Sequence, residues 1–238
     1  MDFGSALDTH DRSCILPYVH MDSELLFSHM LTFLSRRQVD RFLLLIEYGF
    51  DITFSNKYQE TLLHVAAYKG MEDMCILLIR WGLDVNAKNK DSETPLCMAC
   101  KQRKASIVWL LLRGGADPEP SFEEPLPIDI AYKNRYYDHV RALLSLPLSK
   151  VPIHKYVNDP KMLEMCVQRY PFYLNMKDRF GDPLIHRVIE RGSPSTLKML
   201  MTYGIDVSMC NYHGETPLEY ARAENKKKDD KNPRKLLK

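Results

Sequence analysis

Two sets of side chains in this 238-residue chain are of types that do chemistry. The first is Cys97-Met98-Ala99-Cys100, a CxxC spacing that serves as half a zinc site or as a redox pair. A structural zinc needs four ligands, and the chain offers no second CxxC and no HxxxH. A thioredoxin-like pair needs a preceding strand, and the residues before Cys97 do not read as one. The second set is His64, His154 and His186, imidazoles that could act as general bases or metal ligands. No partner residues accompany them: there is no G-x-S-x-G, no P-loop, no H-E-x-x-H and no Gly-rich phosphate turn after a strand. Ser193-Pro194-Ser195 reads as a helix cap, not as a nucleophile elbow. The expectation is a chain that is not an enzyme and uses neither metal nor cofactor.

The elements that hold these residues explain them better. Lys57 to Asn89 opens with a turn, and Thr61 then precedes an apolar run, where its hydroxyl can cap a helix. Leu62, Leu63, Val65, Ala66 and Ala67 make a short helix that Gly70 ends. Met74, Cys75, Leu77, Leu78 and Trp81 recur at helical spacing, and Gly82 stops that second helix. The plan repeats: Thr61, Gly82 and Asp84 become Thr94, Gly115 and Asp117, each 33 residues on. Thr94-Pro95-Leu96 places proline at the first helical position, where its missing N–H is harmless. Asp178, Gly181, Leu184, His186, Gly204 and Asp206 stand 122 residues after Asn56, Gln59, Leu62, His64, Gly82 and Asp84. Gly214 and Thr216-Pro217-Leu218 start one more copy.

A fixed period of 33 with a turn and two helices is the ankyrin pattern. The chain resembles the ankyrin-repeat family through Thr61-Leu62-Leu63-His64-Val65-Ala66-Ala67, Thr94-Pro95-Leu96-Cys97 and Gly214-Glu215-Thr216-Pro217-Leu218. The fold implied is an all-α solenoid of six to seven helix-turn-helix repeats over residues 22–225. Residues 1–21 read as a flexible arm and 226–238 as a charged tail or short closing helix. Repeats four and five are irregular. Leu126-Pro127-Ile128 opens the fourth, but no Gly-Ala-Asp follows, so its finger loop reads as deleted. In the fifth, Pro160 leaves little room for a full first helix. The resemblance assigns Thr61, His64, Gly70, Gly82, Thr94, Gly115, His186, Gly204 and Thr216 to the repeat signature. It implies that the imidazole of His64, His154 and His186 bonds the adjoining loop and the hydroxyl at the threonine position. Pro183 removes half of that arrangement at His186. Cys97 takes the histidine slot and Cys100 a small buried one.

Composition sets the remaining bounds. A net charge of +2, with 45% apolar and 27% charged residues, is ordinary for a soluble protein. No apolar run approaches the length of a membrane span, and Met1-Asp2-Phe3-Gly4 does not start a secretory signal. Six irregularly spaced cysteines do not suggest a disulfide framework, so a reducing compartment is expected, cytoplasmic with the nucleus as second choice. By resemblance the expected function is non-catalytic binding of another protein or peptide, acidic or amphipathic, through the concave face and finger tips, by a monomer. The residues expected to bind are Tyr58, Lys69, Asp91, Lys101, Arg103, Phe122, Lys133, Arg135, Phe180 and Tyr212. They are polar or aromatic positions that the fold does not need, and exposed aromatics are enriched at binding hot spots. Trp81 and Trp109 read as packing or partly exposed convex residues. Asn86 lies in a L-x5-D-V-N pattern of the kind ankyrin proteins offer to an asparaginyl hydroxylase. The rival expectations are a substrate adaptor or signalling inhibitor acting on a transcription factor or ubiquitin-ligase pathway, and nucleic-acid binding through the basic residues.

Overall fold

The computed structural model describes residues 18, 23–36, 38–120, 126–148, 151, 153–191 and 193–230, with the backbone alone at 23, 34–35, 39 and 225–230. Most of the expected arm, Phe122 and the last part of the tail lie outside the described residues. The chain divides into two compact units, Met1–Leu146 and Pro147–Lys238. The boundary falls where the repeat pattern lapses.

In the first unit four helix pairs follow one another: α1 (Ser23–Ser35) with α2 (Val39–Glu47), α3 (Leu62–Lys69) with α4 (Glu72–Arg80), α5 (Pro95–Cys100) with α6 (Ala105–Arg113), and α7 (Pro127–Lys133) with α8 (Tyr137–Leu144). First helices stack on first helices, α3 on α5 and α5 on α7, and second helices on second helices, α4 on α6 and α6 on α8. Small residues make this possible. Ala66, Ala67, Ala99 and Cys100 are fully or almost fully buried and let neighbouring backbones approach. The second helices contribute Met74, Cys75, Leu78, Ile107, Val108, Leu111 and Leu112, all buried, as the periodicity predicts. Trp81 stacks on Phe42 at 5.4 Å between ring centroids. In the first helix pair Phe27 and Met30 are buried and Leu31 is half-buried.

Each start and stop has a local cause. Thr94 Oγ1 accepts the N–H of Cys97 at 3.4 Å, and Pro95 occupies the first turn. Gly70 ends α3 with φ +73°, a left-handed conformation that favours glycine. Lys104 then donates from Nζ to the Gly70 carbonyl at 3.0 Å, placing a cation at the C-terminus of α3. A Cβ on Gly70 would stand 3.0 Å from Lys104 Cδ, which the flexible lysine can relieve by a small shift, so the left-handed φ is what calls for glycine.

The second unit starts irregularly, as expected of repeat five. Its first helix is reduced to a 3-10 turn, Ile153–Tyr156, followed by α9 (Pro160–Arg169) and a second 3-10 turn, Pro171–Asn175. Tyr156, in that 3-10 turn, is fully buried. The regular plan resumes with α10 (Leu184–Arg191), α11 (Pro194–Thr202) and α12 (Pro217–Asp230), with α10 against α12 and α9 against α11. Helix α12 continues through Lys226-Lys227-Lys228-Asp229-Asp230, within the stretch that the sequence reads as a charged tail or short closing helix. No glycine or proline interrupts it before Pro233, and Ala, Glu and Lys are good helix formers. Among the described residues the only β-structure is two isolated bridges, Ser55 with Thr61 and Lys177 with Pro183. The architecture is the all-α repeat fold the sequence implies.

Candidate binding surface

The residues capable of chemistry sit in the scaffold. Cys97 and Cys100 are buried, and burial pushes both thiols up, which disfavours the reactive thiolate. Among the described residues no group of three or more His, Cys, Asp and Glu side chains is placed to hold a metal ion. His64 is fully buried and works as a clip. Its Nδ1 accepts the Thr61 N–H at 3.1 Å and lies 2.9 Å from Thr61 Oγ1, while Nε2 meets the Glu93 carbonyl of the next finger at 3.1 Å. His186 keeps the loop bond, Nε2 to the Glu215 carbonyl at 3.0 Å. Pro183 supplies no hydroxyl and no N–H, and His186 Nδ1 is buried without a hydrogen-bond partner.

The finger tips share one turn. Asn56 Oδ1 accepts the N–H groups of Tyr58 and Glu60, each at 2.9 Å. Asn89 does the same for Asp91 at 3.0 Å and Glu93 at 2.9 Å. Asp178 serves Phe180 and Asp182, and Asn211 serves His213 and Glu215. The fourth position of each turn is left-handed: Gln59 and Ser92 at φ +59°, Gly181 at +84° and Gly214 at +78°. This locked backbone aims the residue at the third position outwards. Tyr58 and Phe180 therefore stand 56% and 57% exposed. Each carries a cation over its ring, Lys57 Nζ at 5.2 Å and Arg179 at 4.7 Å from the centroid. Adjacent fingers are stitched: Lys90 N–H donates to the Tyr58 carbonyl at 3.0 Å.

Where the second and third fingers meet α3 and α5 lies a groove of about 390 Å³. It is lined by Glu60, Asn89, Asp91 and Glu93 from the fingers and by Val65, Tyr68, Met98 and Lys101 from the helices. Val65 and Tyr68, like Met98 and Lys101, are three residues apart and so share a helix face. Tyr68 is 47% exposed. Lys101 is taken up by Glu93, with Nζ 2.6 Å from Oε1 and 2.7 Å from Oε2.

That ion pair involves one of the residues expected to bind. Lys101 and Asp91 share the groove, but Lys101 brings no uncompensated charge to it. Arg103, Lys133 and Arg135 are exposed near the C-terminal ends of α5 and α7 and do not line it, nor does Lys69, the last residue of α3. Arg135 takes the left-handed cap position at φ +57°. Phe180 and Tyr212 belong to the second unit, where Tyr212 is 77% exposed. Beneath Phe180, Arg187 is held by Asp178 at 2.9 Å, Asp182 at 3.0 Å and Glu190 at 3.2 Å. Asn86 stitches repeats together: Nδ2 donates to the Gly115 carbonyl at 3.2 Å, and Oδ1 accepts the Asp117 N–H at 2.8 Å. Glu60, Glu93 and Met98 were not singled out by sequence reasoning. The signal available was Glu60 and Glu93 standing 33 residues apart, each just before a capping threonine.

Comparison with known proteins agrees with this architecture. Residues 76–131 match the family description "Ankyrin repeats (many copies)", and residues 58–90 match "Ankyrin repeat". No curated protein matches the chain in sequence. Among solved structures, the chain is similar to the ankyrin repeat domain of Bcl-3, a member of the IkappaB protein family. The TM-score is 0.69 at 22% identity, covering 86% of this chain and 96% of that one. It is similar to a chain from the complex of the Bdellovibrio bacteriovorus predatory endopeptidase Bd0816 with the immunity protein Bd3460. There the TM-score is 0.54 at 22% identity, over 73% and 94% of the two chains. The human ASB11 ankyrin repeat domain gives a TM-score of 0.55 at 20% identity, over 80% and 90%. At these identities the likeness is one of fold.

Proposed function

We propose that this ankyrin-repeat protein is a non-catalytic binding module that grips another protein or peptide through the groove of its first unit and its finger tips. Ankyrin repeats generally mediate protein–protein interaction, and that supplies the general frame. The observation that carries the reading is a pair of tyrosines the fold does not require. Tyr58 and Tyr68 are 56% and 47% exposed, and Tyr68 lines a groove of about 390 Å³, within the usual size of ligand clefts, about 300 to 1,000 Å³. Tyrosine offers large contact area with few rotors to freeze. The finger turns are already fixed by Asn56 and Asn89, so association loses little backbone entropy.

The test is affinity capture with the intact chain and with a Tyr58→Ala, Tyr68→Ala variant of equal helix content. A protein retained by the parent and lost by the variant supports the reading. Retention of the same proteins by both removes it. Capture of ubiquitin-ligase subunits or a transcription factor would place the module in an adaptor or inhibitor role. A nucleic-acid role would require binding at low salt that falls steeply as salt rises. Lys101 does not support that role, because its charge is already met by Glu93.

A further inference from the structure

The groove between the second and third fingers has a charge imbalance that selects its occupant. Four lining residues carry charge: Glu60, Asp91, Glu93 and Lys101. Glu93 and Lys101 neutralise each other across 2.6 Å. Glu60 meets only a neutral amide, Asn56 Nδ2 at 2.9 Å. Asp91 is exposed at a tip, and among the described residues no cation pairs with either carboxylate. Two negative charges thus face a concavity whose other walls are Val65, Met98 and the Tyr68 ring. Low-dielectric walls around charge of one sign focus the field into the opening.

An acidic segment would meet repulsion here. A neutral apolar one would strip water from two carboxylates and leave them unpaired, which is costly. A lysine or arginine side chain fits each wall at once. Its methylene stem packs on Val65 and Met98, and its charged head reaches the carboxylates. A planar guanidinium can in addition lie over the tyrosine face. We propose that the groove takes a cationic side chain, arginine foremost, from a partner peptide, held between Glu60, Asp91 and Tyr68. This rests on the protein-binding reading and reverses the sign of partner that the basic residues of the sequence imply.

The test selects random displayed peptides on the intact chain. Bound peptides are sorted by their loss of affinity for Tyr68→Ala, which marks occupants of the groove. The proposal expects these peptides to share an arginine or lysine. Replacing that residue by neutral citrulline or norleucine should weaken binding about tenfold to the parent but hardly at all to a Glu60→Gln, Asp91→Asn variant. The amide oxygen of Gln can keep the bond to Asn56, and Asp91 is exposed, so the variant should melt like the parent. Asp91→Lys provides a second check, since it should weaken the same peptides further. Groove peptides without a cation, or indifferent to loss of the two carboxylates, overturn the proposal while leaving the binding reading in place. Peptides that bind Tyr58→Ala and Tyr68→Ala as tightly as the parent overturn both.

Discussion

Three copies of one repeat position, at His64, His186 and Cys97, differ through single neighbours. At His64 a threonine and a loop carbonyl satisfy both nitrogens. At His186 proline leaves Nδ1 without a partner, as the sequence implies. At Cys97 a thiol replaces the imidazole and lies 3.6 Å from Thr94 Oγ1. His64→Ala strands the Thr61 N–H and the Glu93 carbonyl, so it should cost about 1 to 3 kcal/mol in urea unfolding. Burial pushes the His64, His139 and His154 imidazoles below their ordinary value of 6.5. The unfolded chain then binds more protons than the folded one below about pH 6.5, so stability is full above that pH and declines as pH falls further. Urea midpoints measured from pH 7.5 to 5 should drop, and the drop should be smaller in His64→Ala. A flat profile would contradict the buried, neutral imidazoles.

At the level of elements, the 33-residue period made the first unit legible, because caps, glycines and apolar faces all recur in phase. The finger turns also follow a readable rule, Asn or Asp first and a left-handed residue fourth. Two fingers meet it with Gln59 and Ser92 instead of glycine, where a side chain in that conformation costs roughly 1 to 2 kcal/mol. Ser92→Gly should therefore stabilise the chain by about 1 kcal/mol, read as a higher thermal midpoint. Leu78→Ala, in a fully buried position of α4, should cost about 2 to 5 kcal/mol. The 3-10 turn at Ile153–Tyr156 was legible only as a shortage of residues, since the burial of Tyr156 is a matter of packing. The groove was hidden for a related reason. Lys101 reads as a free cation in sequence, and only folding brings Glu93, eight residues earlier, into contact with it.

Across the whole molecule, a net charge of +2 hides a local reversal. The exposed Arg103, Lys133 and Arg135 sit apart from a groove that presents carboxylates. The exposed basic residues therefore point to one kind of partner and the groove to another, and contact is governed by the local field. The two units each carry an exposed aromatic finger, Tyr58 in the first and Phe180 in the second. Phe180→Ala should weaken any partner that engages the second unit by about 1 to 2 kcal/mol and leave helix content unchanged. The measurement that bears most directly on the account is the dissociation constant of a captured partner for the parent, Tyr58→Ala and Tyr68→Ala. Each substitution is expected to weaken binding by about 1 to 2 kcal/mol with no change in thermal midpoint. Equal affinity of all three chains for that partner would contradict it.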